Sequence, residues 1–331
     1  MIKVYYDNYD ITTMVKSVEW SGEIEKPHRE LSVSVVNTAN GRTQLLSFAN
    51  GKAVKFYNDG DLLFRGVLFN NEINSQGELD ITAFDENIYL VKNNDSRIFK
   101  NIKASDITKR LCKDFGIPYG SITDTEYVIP KLIIRNKSLY EIIRIALTVT
   151  QKQTGKRFII GNSGGKLTLM KLGAKTSKWI IESGRNLTDA KYSQSIDDTK
   201  TQVKVTGGTE KAPIEITVKN DSLTKLYGTM QHVEEMDEKA KRSQIEQRAK
   251  SLLKELGVID DQANIEAVGI DEVIASTSIY VKDSMTKIIG GYYVSSDSHK
   301  YENGVHTMSL EISATYDLPP MEIDKEVLGK K

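Results

Sequence analysis

Two stretches of this chain, far apart in sequence, read alike, and an internal repeat limits architecture more than any single motif does. Leu63-Phe64-Arg65-Gly66-Val67-Leu68-Phe69 and Ile288-Ile289-Gly290-Gly291-Tyr292-Tyr293-Val294 each place two apolar residues, a glycine step and a second apolar stretch. Each runs through a polar hairpin into a similar strand. Leu79-Asp80-Ile81-Thr82-Ala83-Phe84-Asp85 is matched by Leu310-Glu311-Ile312-Ser313-Ala314, with Tyr316-Asp317 echoing Phe84-Asp85 one residue late. Apolar and polar residues alternate in both, as in a strand buried on one face. Any two barrel hairpins share that alternation. The sharper expectation is two related β-barrel domains, one near each end, with helical material inserted between them.

The rest of the chain fits that frame. Ile2–Tyr6, Ser17–Ser21, Leu31–Val36, Ala53–Tyr57, Leu62–Phe69 and Leu79–Phe84 are short runs rich in β-branched and aromatic residues. Asn58-Asp59-Gly60-Asp61 and Asn74-Ser75-Gln76-Gly77 between them supply the positive φ that hairpin turns need. After Asn93-Asn94-Asp95 the period changes. Ser105 is placed to cap a helix carrying Ile107, Leu111 and Phe115, ending at Gly116. Ser138-Leu139-Tyr140-Glu141 is a capping box opening a second helix, whose face is Leu139, Ile142, Ile143, Ala146, Leu147 and Thr150 up to Gly155. A hairpin turning at Gly161-Asn162-Ser163-Gly164-Gly165 follows. Gln202–Thr206 and Ile214–Val218 read as strands. Glu234–Leu256 reads as the longest helix, with Gly257 at its C′ position. From Ala263 the chain is β again, through a hairpin at Asn303-Gly304, with a stop at Pro319-Pro320 and a charged tail beyond.

The expected fold class is therefore α+β, mainly β. The expected divisions are a first barrel over 1–95, an α+β insertion over 96–173, a second barrel from 174–207 plus 263–318, a helix-containing insertion over 208–262, and a tail over 319–331.

Composition narrows the function. Lys+Arg and Asp+Glu are 45 each, so the chain lacks the basic excess of a protein that grips phosphate backbones. No apolar run approaches transmembrane length, and the first residues open directly into a strand pattern rather than a leader, so the expectation is a soluble protein made in the cytosol. A single cysteine, Cys112, excludes an internal disulfide framework and a Cys-based zinc site.

No catalytic constellation emerges. Gly161-Asn162-Ser163-Gly164-Gly165-Lys166-Leu167 has three residues between its outer glycines and Leu167 after the lysine, where a phosphate loop needs four and Ser or Thr. It reads as a hairpin turn. His232-Val233-Glu234-Glu235-Met236 lacks a second histidine for a zincin site. With a two-residue loop at Asn303-Gly304, Glu302 faces Val305 and His299 faces Met308, which makes His299 and His306 diagonal neighbours on one face. Two imidazoles without a third ligand make a poor metal site, so they read as exposed strand residues. Cys112 reads as a buried thiol beside Leu111. Asp197-Asp198 and Asp260-Asp261 lack calcium-loop spacing and read as turns. Tyr292, Tyr293, Lys300 and Tyr301 have the residue types that stack bases, but equally those of edge strands. The charged face of Glu234–Leu256 reads as a solvated surface over a packed stripe. Catalytic, cofactor-binding and metal-binding residues are therefore expected to be none.

This order of segments resembles the baseplate hub proteins of contractile phage tails, of the XkdQ/YqbQ type in PBSX-like prophages and R-type bacteriocins. The resemblance spans nearly the whole chain and is one of pattern and order. It rests on Gly60-Asp61-Leu62-Leu63-Phe64-Arg65-Gly66, the strand ending Ala83-Phe84-Asp85, Ala104-Ser105-Asp106-Ile107 through Gly116-Ile117-Pro118, Lys137-Ser138-Leu139, the Ile180–Tyr192 stretch and the closing Gly290–Tyr316 hairpin. It implies a homotrimer whose six barrels of tail-tube fold form a pseudo-sixfold ring between a hexameric tail tube and a trimeric spike. The implied partners are tube, spike and baseplate wedge or tape-measure proteins, with DNA passing a lumen that does not bind it, and no membrane. The implied location is the baseplate of a virion or tail-like particle assembled in the host cytoplasm. The competing readings are a cell-wall carbohydrate or peptidoglycan-binding module and, with no residues to support it, a hydrolase.

Overall fold

The computed structural model describes residues 1–172, 178–209, 212–314 and 321. The readings that fall on Tyr316-Asp317, on Pro319-Pro320 and on the tail after Met321 lie outside the described residues, as does the expected boundary at 173/174. The chain divides into two compact units, Met1–Ala190 with Asn264–Lys331, and Lys191–Ala263.

The first unit opens with β1 (Ile2–Tyr6), β2 (Tyr9–Asp10), β3 (Val15–Glu23), β4 (Glu30–Val36), β5 (Ala53–Asn58), β6 (Asp61–Ile73) and β7 (Glu78–Phe84), lying side by side as β3-β4-β7-β6-β5-β1-β2. Alternate residues turn inward because successive side chains of a strand point to opposite faces. Leu31, Val33 and Val35 on β4 and Leu79, Ile81 and Ala83 on β7 are all buried. Between β5 and β6, Asp59 (φ 48°) and Gly60 (φ 94°) supply the left-handed pair that a tight hairpin requires. Val4 and Tyr6 at one end of this run share a core with Val18 and Trp20 at the other, so the run is rolled around its own apolar face.

After α1 (Tyr89–Lys92) come β8 (Asn94–Lys103), α2 (Ala104–Asp114), β9 (Tyr119–Ile122), β10 (Val128–Ser138), α3 (Leu139–Thr154), β11 (Phe158–Ser163) and β12 (Lys166–Lys171). β8 pairs with β10, and β11-β12-β9 form a second small sheet. Both helices bury their apolar faces in one core with Leu111, Leu132, Ile142, Ile143 and Leu167 fully enclosed. The capping box is present: Ser138 Oγ accepts from the Glu141 amide at 3.1 Å, and Glu141 Oε2 accepts from the Ser138 amide at 2.8 Å. Ser138→Ala is expected to cost about 0.5–2 kcal/mol, read as a lowered denaturation midpoint at unchanged slope. Ser105, in contrast, does not cap α2. It lies inside the first turn, where its amide donates to Thr125 Oγ1 at 3.1 Å; a neighbouring segment supplies the acceptor expected from the helix's own cap.

β13 (Ile180–Glu182) follows, and β14 (Leu187–Ser195) runs into the second unit, which contains β15 (Gln202–Thr209), β16 (Ala212–Lys219), α4 (Asp221–Tyr227), β17 (Gln231–Glu235) and α5 (Arg242–Leu256). Ile245, Ala249 and Leu252 of α5 pack on Val203 and Val205 of β15. The helix expected from Glu234 starts at Arg242 instead. Glu234 belongs to β17, parallel to β15, and its carboxylate holds Arg248 of the helix through bonds of 2.7 and 2.8 Å. Gly257 sits at φ −83°, not in the left-handed region. It is required by closeness, since a Cβ there would lie 2.4 Å from the Leu253 carbonyl oxygen.

The chain closes with β18 (Asp260–Val268), β19 (Ser278–Lys282), β20 (Ile289–Glu302) and β21 (Val305–Ser313). These strands, with β13 and β14, lie in the order β14-β18-β21-β20-β19-β13. The first half of the same sheet runs β3-β4-β7-β6-β5-β1, so strands taken in chain order occupy the same places twice. The bulges coincide as well: the β6–β7 ladder shifts between Leu68 and Asn70, the β20–β21 ladder between Val294 and Ser296. One difference stands out, because β1 is antiparallel to β5 whereas β13 is parallel to β19.

The repeat is therefore real in strand order, but the residue matches read from sequence are out of register. Superposing the bulges pairs Leu68 with Val294 and Ala83 with Ile312, which moves the first strand match by one residue and the second by two. Gly66 then corresponds to Tyr292, not to a glycine. Its lack of a side chain has a local reason, since a Cβ would sit 2.2 Å from the Phe84 carbonyl oxygen. The Asn303-Gly304 hairpin corresponds to residues 74–77 and not to Asn58–Gly60.

Candidate functional site

β20 is longer than its partner β19 and changes neighbours at its bulge. Residues 289–293 pair with β19, and residues 296–302 pair with β3 from Glu23 to Ser17. This ladder joins the two halves of the sheet, and buried charged side chains meet there. Asp297, His299 and Tyr301 alternate on the inward face of β20 and are 2%, 0% and 4% exposed. Arg29, at the start of the strand-pair β4–β7, donates from both terminal guanidinium nitrogens to Asp297 and lies 4.1 Å above the Trp20 ring. Asp297 also accepts from the Ala275 amide at 2.6 Å.

The two histidines meet as the hairpin register required. Glu302 faces Val305, His299 faces Met308, and His299 Nδ1 lies 3.0 Å from His306 Nε2. They are not exposed strand residues, however. His299 is fully buried with its Nε2 2.9 Å from the Val273 carbonyl, and His306 is stacked on Tyr301 at 3.9 Å between ring centroids. The Tyr301 hydroxyl donates to Asp271 Oδ1, and Asn58 donates to Asp271 Oδ2 at 2.9 Å. Burial holds His299 below the usual imidazole range, and burial together with the neighbouring His299 pushes His306 down to about 4. Both rings are neutral at physiological pH.

Beside this junction is a cavity of about 640 Å³ whose walls include Trp20, Arg29, Phe64, Asp85, Asn162 and Asp271. Asp85 is almost fully buried, and desolvation pushes its carboxyl up to about 7 against the hydrogen bonds it accepts from the Arg29 and Asn87 amides.

The remaining candidates fall elsewhere. Gly161–Lys166 is a β11–β12 hairpin turning at Gly164 (φ 57°) and Gly165 (φ 78°), closed by the Gly165 amide on Asn162 Oδ1. Cys112 is buried, and desolvation raises its thiol to about 12, which leaves it unreactive. His232 lies on β17. Asp260 and Asp261 open β18 and are not turn residues, Asp261 accepting from Tyr192 and Gln194, while Asp197 and Asp198 are in a bend. Tyr293, Lys300 and Tyr301 are paired on both sides of β20, whereas Tyr292 has a ladder partner in β19 alone. Among the described residues no group of three or more His, Cys, Asp or Glu is placed to hold a metal ion, and no helix is long and apolar enough to cross a membrane. Arg29 and Asp271 carry no motif and were invisible in sequence. The signal for Asp297 was its two-residue spacing from His299, which puts both on one face once the strand is extended through Tyr301.

Solved structures with this fold include phage tail proteins. The 43 kDa tail protein of prophage MuSo2 from Shewanella oneidensis superposes with a TM-score of 0.71 at 14% identity, covering 94% of this chain and 97% of that one. The tail protein from Neisseria meningitidis MC58 gives 0.67 at 13%, covering 94% and 95%. An E. coli protein, c3393, described as a component of the type VI secretion system with structural similarity to the T4 tail proteins gp27 and gp5, gives 0.56 at 9% identity, covering 97% of this chain and 79% of that one. The class is thus a mainly β fold shared with phage tail proteins. Residues 18–313 match the YqbQ-like family model, and the chain belongs to that family. Its relatives include the phage-like element PBSX protein XkdQ of Bacillus subtilis strain 168, 32% identical over 318 residues and covering 96% of this chain and 97% of the relative. YqbQ of the same strain is 31% identical over 308 residues, covering 92% and 94%.

Proposed function

We propose that three copies of this chain form a structural hub ring, with two tube-like barrels per copy, between a hexameric tail tube and a trimeric spike. The observation that carries this reading is the repeated strand order within one chain, joined through β20 and β3. The counterpart of β20 is β6, whose end at Asn70–Ile73 runs beyond β5 and has β7 as its ladder partner on one side only. The counterpart of β3 is β14, which ends the sheet. If the internal junction is repeated between chains, β14 of one copy takes the free side of β6 in the next. Heterologous contacts of this kind close into a ring when the rotation per step allows, and they cover strand edges that otherwise invite aggregation. The interchain junction would be less polar-locked than the internal one, because exposed Asn71 stands where Asp297 is buried.

In this reading the barrels are 1–95 and 174–207 plus 263–318. The insertions 96–173 and 208–262 face wedge, sheath-associated or tape-measure partners, and the hairpins near Asn58–Gly60 and Asn303-Gly304 reach neighbouring rings. DNA passes the lumen without specific binding, and the role is assembly in the baseplate of a contractile tail or tail-like particle rather than catalysis. Light scattering over a dilution series tests it. The expected result is three times 37.1 kDa with a central hole on imaging. A mass of one chain at every concentration removes the self-assembled ring.

A further inference from the structure

We propose that the His299–His306 pair is a proton-operated latch that holds the segment from Gly269 to Thr277 against the junction and releases it on acidification. Backbone bonds tie this segment at its ends, from the Gly269 amide to the His306 carbonyl at 2.9 Å and from the Ser276 amide to the Val294 carbonyl at 3.0 Å. Between those points polar side chains hold it. Asp271 is held by Tyr301 and Asn58, the Val273 carbonyl by His299, and the Ala275 amide by Asp297. Asp271, Glu272, Ile274 and Thr277 of the segment form one wall of the 640 Å³ cavity, so releasing it opens that space.

The proton positions follow from the partners. A carbonyl only accepts, so His299 Nε2 carries its hydrogen toward Val273. In the neutral ring Nδ1 is then bare and accepts from His306 Nε2–H at 3.0 Å. That leaves His306 Nδ1 bare, 3.5 Å from Asp271 Oδ1. A first proton has a prepared place on His306 Nδ1 facing the Asp271 carboxylate, and it keeps the histidine–histidine bond. A second can go only to His299 Nδ1, where two N–H donors would then confront each other and the bond is lost.

Charge points the same way. The groups facing the pair are Arg29, Asp297, Asp271 and the neutral Tyr301. One guanidinium against two carboxylates leaves a deficit of one positive charge, which the first proton fills and the second exceeds. The low imidazole basicity produced by burial keeps the latch shut at neutral pH.

The network is specific to the junction and not a legacy of the repeat. With the bulges superposed, Asn71 and Ile73 stand where Asp297 and His299 stand in the second half.

The test is a pH titration of the full chain labelled with fluorotryptophan, followed by fluorine NMR and far-ultraviolet circular dichroism. Of the chain's 2 tryptophans, Trp20 packs 5.4 Å from the His299 ring centroid and reports on the latch. Trp179→Phe assigns the two signals; Trp179 itself donates to Glu272 of the segment at 2.8 Å, so its resonance reports on release as well. The expected result is a shift of the Trp20 resonance at a pH below the His306 step near 4, with the dichroism still native. Imidazole nitrogen shifts of the unsubstituted protein should show His306 taking its proton before His299. His306→Gln, which keeps a donor to His299 but cannot be protonated, should reduce the two steps to one. Trp20 changing only together with the dichroism, or His299 protonating first, overturns the latch. So does a His306→Gln variant, folded by its dichroism at neutral pH, that titrates as the parent does.

Discussion

Asp297→Ala is expected to destabilise the chain by about 3–5 kcal/mol, the range for removing one partner of a buried ion pair. The cost arises less from the lost attraction than from what remains. The Arg29 side chain is 14% exposed and would keep its charge over Trp20 with no carboxylate, and the Ala275 amide would lose its acceptor. Denaturant midpoints of Asp297→Ala, Asp297→Asn and the double variant Arg29→Met/Asp297→Leu separate these contributions. The double variant should lie much nearer the parent, because replacing both charges with apolar groups of similar volume is often close to neutral. A double variant as unstable as Asp297→Ala would show that the cost lies in shape and not in the stranded charge.

Phe56→Ala should cost about 3–5 kcal/mol, as deletion of a large enclosed aromatic does when the surrounding structure relaxes only partly. Phe56 is fully buried on β5, and its ring meets Tyr301 edge to face at 4.9 Å between centroids. The cavity would open in the core of the first half of the sheet, under the residue that positions Asp271. Its effect should therefore be non-additive with Asp297→Ala, as is usual for neighbours sharing partners. Phe56→Leu, which retains most of the volume, should recover most of the loss. Unfolding midpoints of the singles and the pair check both expectations, and strict additivity would mean that core and junction yield independently.

Local features were legible in the sequence because local physics decides them. The Ser138–Glu141 capping box, the Asn303-Gly304 register and the inward alternation of β4 and β7 depend on residues a few positions apart. Elements whose boundaries depend on a distant partner were misread. Ser105 yields its capping role because Thr125 is within reach, and Glu234 joins a strand because β15 lies beside it and Arg248 lies on the facing helix. The histidines show the division most sharply. Their adjacency followed from the hairpin, but their burial depends on β3 and on the Gly269–Thr277 segment covering them.

By itself, then, the sequence determined the mainly β class, the hairpins, the repeat of a strand pattern and, through the order of its segments, the family. Strand periodicity and turn chemistry are short-range properties carried in neighbouring residues. Only the tertiary structure decided the register of the repeat, the change of partner along β20 and the convergence of Arg29, Asp297, His299, His306 and Asp271. A bulge inverts which residues face inward without leaving a mark in composition, and a charge paired across 268 positions of chain has no local signature at all.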